Sequence, residues 1–321
     1  MRNRLSGRLR GHERQIFCLL SGARICNFGK EKTGICRLKL FWAVSVMAGF
    51  AAGGENIKNR AVPGVGGDFA ISESGSVRFI KASMKNGRRV CVKYPLDKKR
   101  GAKQRLRKIL SALTMQPFLQ PLPFIPAAEK NLLEIAKLRD FAAADLAVPE
   151  ILAVQDGFSI FADTGKTIAE ILKELRQRDT ILHDRLLIRC AECLGQVHSA
   201  GLCHGRPDLR DMFLAERGVG FAGFREYPER FMPMAAAQVR DIWLLLIVIA
   251  AKAVDKDFVL AAAFRAWRRQ AGLETLETLQ AGARFFRLVL KPYKLVSPLI
   301  MGKKRQSRLR VLQFLVSNLG V

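Results

Sequence analysis

Three short stretches hold most of the residues able to do chemistry. Val90-Cys-Val-Lys93 ends an apolar run on a lysine, and His204-Gly-Arg206-Pro-Asp208-Leu-Arg-Asp211 places two carboxylates close behind a histidine. Gly220-Phe-Ala-Gly223-Phe224-Arg-Glu226 ends on a third carboxylate. By residue type alone, an ammonium can neutralise an anion, and a carboxylate can act as a base or as an oxygen ligand for a hard cation. Arg206 can do neither, because a guanidinium keeps its proton at neutral pH.

Other chemistries are excluded by type and spacing. The seven cysteines, Cys18, Cys26, Cys36, Cys91, Cys190, Cys193 and Cys203, are odd in number and scattered, unlike a disulfide framework or a zinc ribbon. Cys190 and Cys193 have CxxC spacing but sit in an apolar helical stretch with no histidine or second CxxC at ligand spacing. They read as buried core thiols in a reducing cytoplasm.

The elements that must position these residues follow from the pattern of apolar side chains. Phe69–Ile71, Val77–Ala82 and Val90–Tyr94 read as strands, the last two joined across Asn86-Gly87, a hairpin turn signal. Residues 103–115 read as a basic amphipathic helix, followed by the Pro-rich break 116–126, and 127–144 as a helix. Two more strands, Ile151–Val154 and Phe158–Phe161, meet across Asp156-Gly157. Beyond Thr167 the chain reads as mostly helical, near 167–177, 184–200, 238–252, 256–271 and 274–290. A small β-rich lobe followed by a larger helical one is an α+β arrangement, and a cleft between lobes is a usual place for a ligand.

The 54 Lys and Arg residues against 28 Asp and Glu give a net charge of +26, and the charge falls in blocks. Residues 1–40 carry ten basic and two acidic side chains, 81–110 twelve and one, and 284–321 nine and none. The middle of the chain is near neutral and reads like an ordinary enzyme or binding domain. Residues 1–66 are expected to form a basic, poorly ordered extension, with Met47 as an alternative start. Residues 67–165 are expected to form the small lobe, 166–290 the helical lobe and 291–321 a basic amphipathic tail. The longest apolar runs, Leu40–Ala52 and Ile242–Ala251, have 13 and 10 residues and are short of the roughly 20 that a spanning helix needs.

In this order of elements, Phe79–Lys93 resembles strands two and three of a protein-kinase-like fold, with Val-Cys-Val-Lys where such proteins have Val-Ala-Ile-Lys. The helical run from Glu134 to Val148-Pro149 resembles the corresponding helix of the bacterial lipopolysaccharide-kinase-like group. Val197–Gly205 is similar to the entry into the kinase catalytic loop, Gly220–Glu226 stands where kinases have Asp-Phe-Gly, and Arg240-Asp241-Ile-Trp243 resembles the start of the long buried helix of the large lobe, which implies that Asp241 caps that helix and hydrogen-bonds the loop backbone. The resemblance implies a bilobal kinase-like fold that binds ATP and Mg2+. Lys93 would contact phosphates, oriented by Glu134, with Glu129 as the fallback, and Gly75 would sit in the phosphate-cradling loop. Asp211 and Glu226 would hold Mg2+, and Asp208 would be the base.

The same comparison marks three departures. Arg206 occupies the catalytic-base position, Gly223 the position of the metal-chelating Asp, and Ser72–Val77 has one glycine where the nucleotide loop has three. Three readings therefore stand. One is a cytoplasmic phosphotransferase moving the γ-phosphate of ATP to a hydroxyl, such as one on a lipopolysaccharide sugar, at the inner membrane face. The second is a pseudokinase acting by binding, and the third a basic nucleic-acid-binding protein. The segments 98–108 and 303–310 pair cationic and apolar residues, as helices do that attach to anionic lipid, and the same charges could neutralise nucleic-acid phosphates.

Overall fold

The computed structural model describes residues 70–74, 77–83, 87–95, 117–120, 122–155, 158–283, 286–287, 290 and 303–319. The expected extension 1–66, the glycine at position 75, the helix 103–115 and the basic segment 98–108 lie outside the described residues. The chain divides into two compact units, the first formed by residues up to Lys98 with Glu150–Asp163, and the second by the remainder.

The first unit is a five-stranded antiparallel sheet. Its strands are β1 (Ala70–Ser74), β2 (Val77–Ser83), β3 (Arg89–Pro95), β4 (Ile151–Gln155) and β5 (Phe158–Ala162), in the order β1-β2-β3-β5-β4. Alternation decides which side chains go inward, since successive residues of a strand face opposite ways. Ile80, Ala82, Val90, Val92, Phe158 and Ile160 form one buried cluster. Each large apolar side chain there contributes about 1.5–3 kcal/mol by leaving water. Lys93 follows Val92 and so lies on the other face, in register with Phe79 and Ser159, where it is 3% exposed.

The second unit is helical. Its helices are α1 (Ala127–Ala143), α2 (Ile168–Arg178), α3 (Thr180–Ser199), α4 (Met234–Lys252), α5 (Lys256–Arg268), α6 (Leu273–Ala281) and α7 (Lys303–Asn318). Side chains set the helix starts. Thr167 and Glu170 form a reciprocal capping box on α2, Asp179 accepts from the Leu182 amide at 2.8 Å, and Asp255 accepts from the Phe258 amide at 3.1 Å. The core gathers Leu187 and Leu194 of α3, Leu245, Leu246 and Ile249 of α4, and Val259 and Trp267 of α5, all essentially inaccessible to water.

The order of a small antiparallel sheet and then helices is the α+β arrangement expected from the sequence. Helix α1, placed by sequence in the small lobe, groups with the helical unit. A hairpin of β6 (Met212–Ala215) and β7 (Gly218–Phe221) interrupts the helices where the sequence suggested few strands. Its apolar faces are short, and Gly218, with φ of +139°, makes the turn. Helix α4 begins after Pro233, a full turn before the expected start. Among the described residues it is the one helix long and apolar enough to cross a membrane, and most of its apolar stretch is buried inside the fold.

The tail helix α7 packs on the helical unit. Val311, Leu312 and Leu315 are buried, Phe314 packs edge-on against Phe264 of α5 with centroids 5.5 Å apart, and Arg310 bonds Asp257.

Candidate functional site

The candidate site of the helical unit is the loop from His204 to Asp211 with the segment Gly223–Glu226 that β6 and β7 bring beside it. Pairing of Met212 with Phe221, and a 2.8 Å bond from the Ala222 amide to the Asp211 carbonyl, set the two segments side by side. Glycine is required twice. At Gly205, with φ of +94°, a Cβ would lie 2.1 Å from the Glu226 carbonyl oxygen. At Gly223, with φ of +66°, it would lie 2.4 Å from Asp211 Oδ1. The Asp211 carboxylate therefore fills the space in which any side chain at position 223 would begin.

Asp241 holds the loop from below. Expected from the resemblance to cap its helix, it lies instead in the third turn of α4, fully buried, and accepts from the His204 amide at 2.5 Å and the Gly205 amide at 2.9 and 3.0 Å. Burial alone raises a carboxyl pKa, but the adjacent His198 imidazole and the Gly205 amide outweigh it and hold Asp241 below the ordinary range. His198 Nε2 stands 3.6 Å from Asp241 Oδ2. Its Nδ1 accepts from Trp267 Nε1 at 2.9 Å, which leaves Nε2 as the nitrogen bearing hydrogen. Gln238 donates to the carbonyls of His198 and Leu202 at 3.0 and 2.9 Å. His204 is buried against Phe221 and Phe224, its Nε2 is 3.1 Å from the Ala222 carbonyl, and burial pushes its pKa down to about 4. It is a neutral structural residue at pH 7.

Each carboxylate singled out at this loop meets a guanidinium. Asp208 accepts from the Arg210 amide at 3.1 Å, from Arg210 Nε at 3.2 Å and from Nη2 at 3.1 Å. Burial would raise its pKa, yet Arg210 and the more distant Arg225 lower it below the ordinary value. Asp211 bonds Arg225. Glu226 bridges Arg206 and Arg240, each at 2.8 Å, and Arg240 continues to the carbonyls of Phe118 and Gln120 at 3.3 and 3.4 Å. The nearby Lys137 donates to Glu229 at 2.7 Å and to the His204 carbonyl at 3.4 Å, with the rings of Phe224 and Tyr227 below it.

The helical unit thus brings together Asp208, Asp211 and Glu226. Glu134 is buried on α1 at 5% exposure, whereas the fallback Glu129 is an exposed partner of Arg230 at 2.5 Å. Lys93 belongs to the sheet unit. Mg2+ demands a near-octahedral shell of oxygens. At a nucleotide, one or two carboxylates suffice beside phosphate and water oxygens, and the two expected donors, Asp211 and Glu226, are already bound by arginine. The residues present do not fit the ion. Sequence reasoning missed Arg225, Arg240, Lys137 and Glu229. Sequence proximity signals only the Arg210–Asp208 pair, since the partners of Asp211 and Glu226 are 14 or 20 positions away.

No protein-family model matches the chain, and no curated protein sequence matches it. One solved structure with detectable similarity is the Rio2 kinase ADP/Mg2+-phosphoaspartate complex from Chaetomium thermophilum. It is 13% identical over 95% of this chain and 85% of that one, with a TM-score of 0.38.

Proposed function

We propose that the chain is a kinase-like protein that acts by binding, as a scaffold or ligand sensor, and not by metal-assisted phosphoryl transfer. The observation that carries this reading is the pairing of Asp208, Asp211 and Glu226 with Arg210, Arg225 and the Arg206–Arg240 pair. A general base is weaker the lower its pKa, and Arg210 both holds Asp208 below the ordinary carboxylate value and occupies its two oxygens. A nucleotide is the ligand class proposed, with Lys93 of the sheet unit as the phosphate contact to be tested. The setting proposed is the cytoplasm, with the basic segments meeting an anionic membrane surface by charge; nucleic acid is the rival polyanion.

The test is thermal unfolding of the full chain with ATP, with and without Mg2+, for the wild type and Lys93→Ala. Stabilisation grows as RT ln(1 + [L]/Kd), about 2.7 kcal/mol at a hundredfold excess over Kd. A shift independent of Mg2+ and lost in Lys93→Ala supports nucleotide binding without metal, and no shift in either condition removes the nucleotide. A shift that requires Mg2+ supports the second reading, a phosphotransferase acting on a hydroxyl such as that of a lipopolysaccharide sugar. What favours that reading is the placement of Lys93 and Glu134, the residues that the resemblance assigns to phosphate contact, out of water at 3% and 5% exposure.

A further inference from the structure

We infer that Arg225 is a built-in cation for this loop: its guanidinium takes the position beside Asp211 that a divalent metal would need, so the loop is formed and neutralised without metal. The inference deepens the binding reading and rests on its residue assignments. The Asp211 side chain is 5% exposed and that of Arg225 16%, so the pair lies largely out of water. The Asp211 carboxylate is also fixed by its fit over Gly223, where a Cβ would come within 2.4 Å of Oδ1.

A dication approaching Asp211 meets a fixed like charge. To bind at Oδ1, the oxygen that Arg225 holds, it must expel Arg225 and strand a guanidinium away from its partner, and removing one member of a largely buried pair is strongly unfavourable. Glu226, the second expected ligand, gives no alternative, because Arg206 and Arg240 each take one of its oxygens. Around the loop, Arg206, Arg210, Arg225, Arg240 and Lys137 balance Asp208, Asp211, Glu226, Glu229 and Asp241, so the carboxylates are neutralised within the fold. Planar and permanently charged, a guanidinium suits this role where a lysine would fit less well.

The test uses the full chain, with Mn2+ binding followed by water-proton relaxation and unfolding midpoints measured in Mg2+ and in EDTA. The wild type is expected to show no saturable Mn2+ binding that Asp211→Asn removes, and equal midpoints in the two solutions. Arg225→Gln is expected to lower the midpoint, and Arg225→Lys, which keeps the charge, to lower it less. Saturable Mn2+ binding by the wild type that is lost in Asp211→Asn overturns the inference, as does an Arg225→Gln midpoint equal to wild type. The wild-type titration decides the matter even where Arg225→Gln does not fold. ATP turnover in EDTA would overturn the binding reading and leave this inference standing, whereas Mn2+ at Asp211 without turnover would do the reverse.

Discussion

Replacing Asp241 by Asn removes one negative charge and one acceptor oxygen from the point where the loop is fastened to α4. Two buried amides, those of His204 and Gly205, converge on the carboxylate at 2.5–3.0 Å, and Asp241 itself is fully buried. A hydrogen bond to a charged group contributes about 1.5–3 kcal/mol, and a buried donor left without an acceptor costs about 1–3 kcal/mol. With its oxygen at the Oδ2 position an Asn still accepts from both amides, but the charge is gone and its NH2 group, at the Oδ1 position, faces the Gly205 amide. The expected loss is therefore about 3 kcal/mol, a large share of the roughly 5–15 kcal/mol typical of a folded domain. Urea unfolding reads it directly, followed by tryptophan fluorescence, since Trp267 bonds the His198 that faces Asp241. With m of about 1–3 kcal/mol/M, the midpoint falls by about 1 M or more. A midpoint within about 0.2 M of wild type would show that Asp241 does not fasten the loop and would refute the reasoning.

Acid sensitivity should begin at unusually mild pH. The pKa of His204 is about 4 in the folded state against 6.5 unfolded, so between those values the unfolded chain binds the extra proton and stability falls as pH drops, by roughly 3 kcal/mol in all. Asp241, held below 3.8, adds its own loss only at lower pH. Urea midpoints that stay flat from pH 7 to 4.5 would contradict this. Gly223→Ala should cost more than Gly165→Ala. Both have positive φ, worth about 1–2 kcal/mol, but a Cβ at 223 collides with Asp211 and one at 165 meets nothing within 4 Å; equal losses would count against the close fit. Lys137→Met should cost about 2–3 kcal/mol, and the double change with Glu229→Gln should cost clearly less than the sum of the two singles. Strict additivity in the cycle would mean that the pair is not coupled.

The sheet and most helices were legible because their signals are local. Alternation around Val90 and Val92, the Thr167–Glu170 capping box and the spacing of Leu187, Cys190, Leu194 and Val197 each specify an element within one or two turns. The hairpin Met212–Phe221 was obscured because its strands have only four residues each. The role of Asp241 was half legible. Its tie to the loop backbone was implied, but its place inside α4 depends on Pro233 starting that helix earlier than apolar periodicity suggests. Gly223 drew attention as an absent carboxylate, while the residue that answers for it, Arg225, acts through a partner fourteen positions away. Charge pairing at that distance depends on tertiary structure. The amphipathic pattern of α7 was correctly seen, but a sequence does not say whether an apolar face turns to lipid or to α5.

The most direct measurement is ATP turnover by the full chain in Mg2+ and in EDTA, compared among the wild type, Asp211→Asn and Lys93→Ala. Carboxylates held by arginine predict no Mg2+-dependent phosphate release or transfer by the wild type above that of either variant. Mg2+-dependent turnover by the wild type that both variants lose would contradict the account.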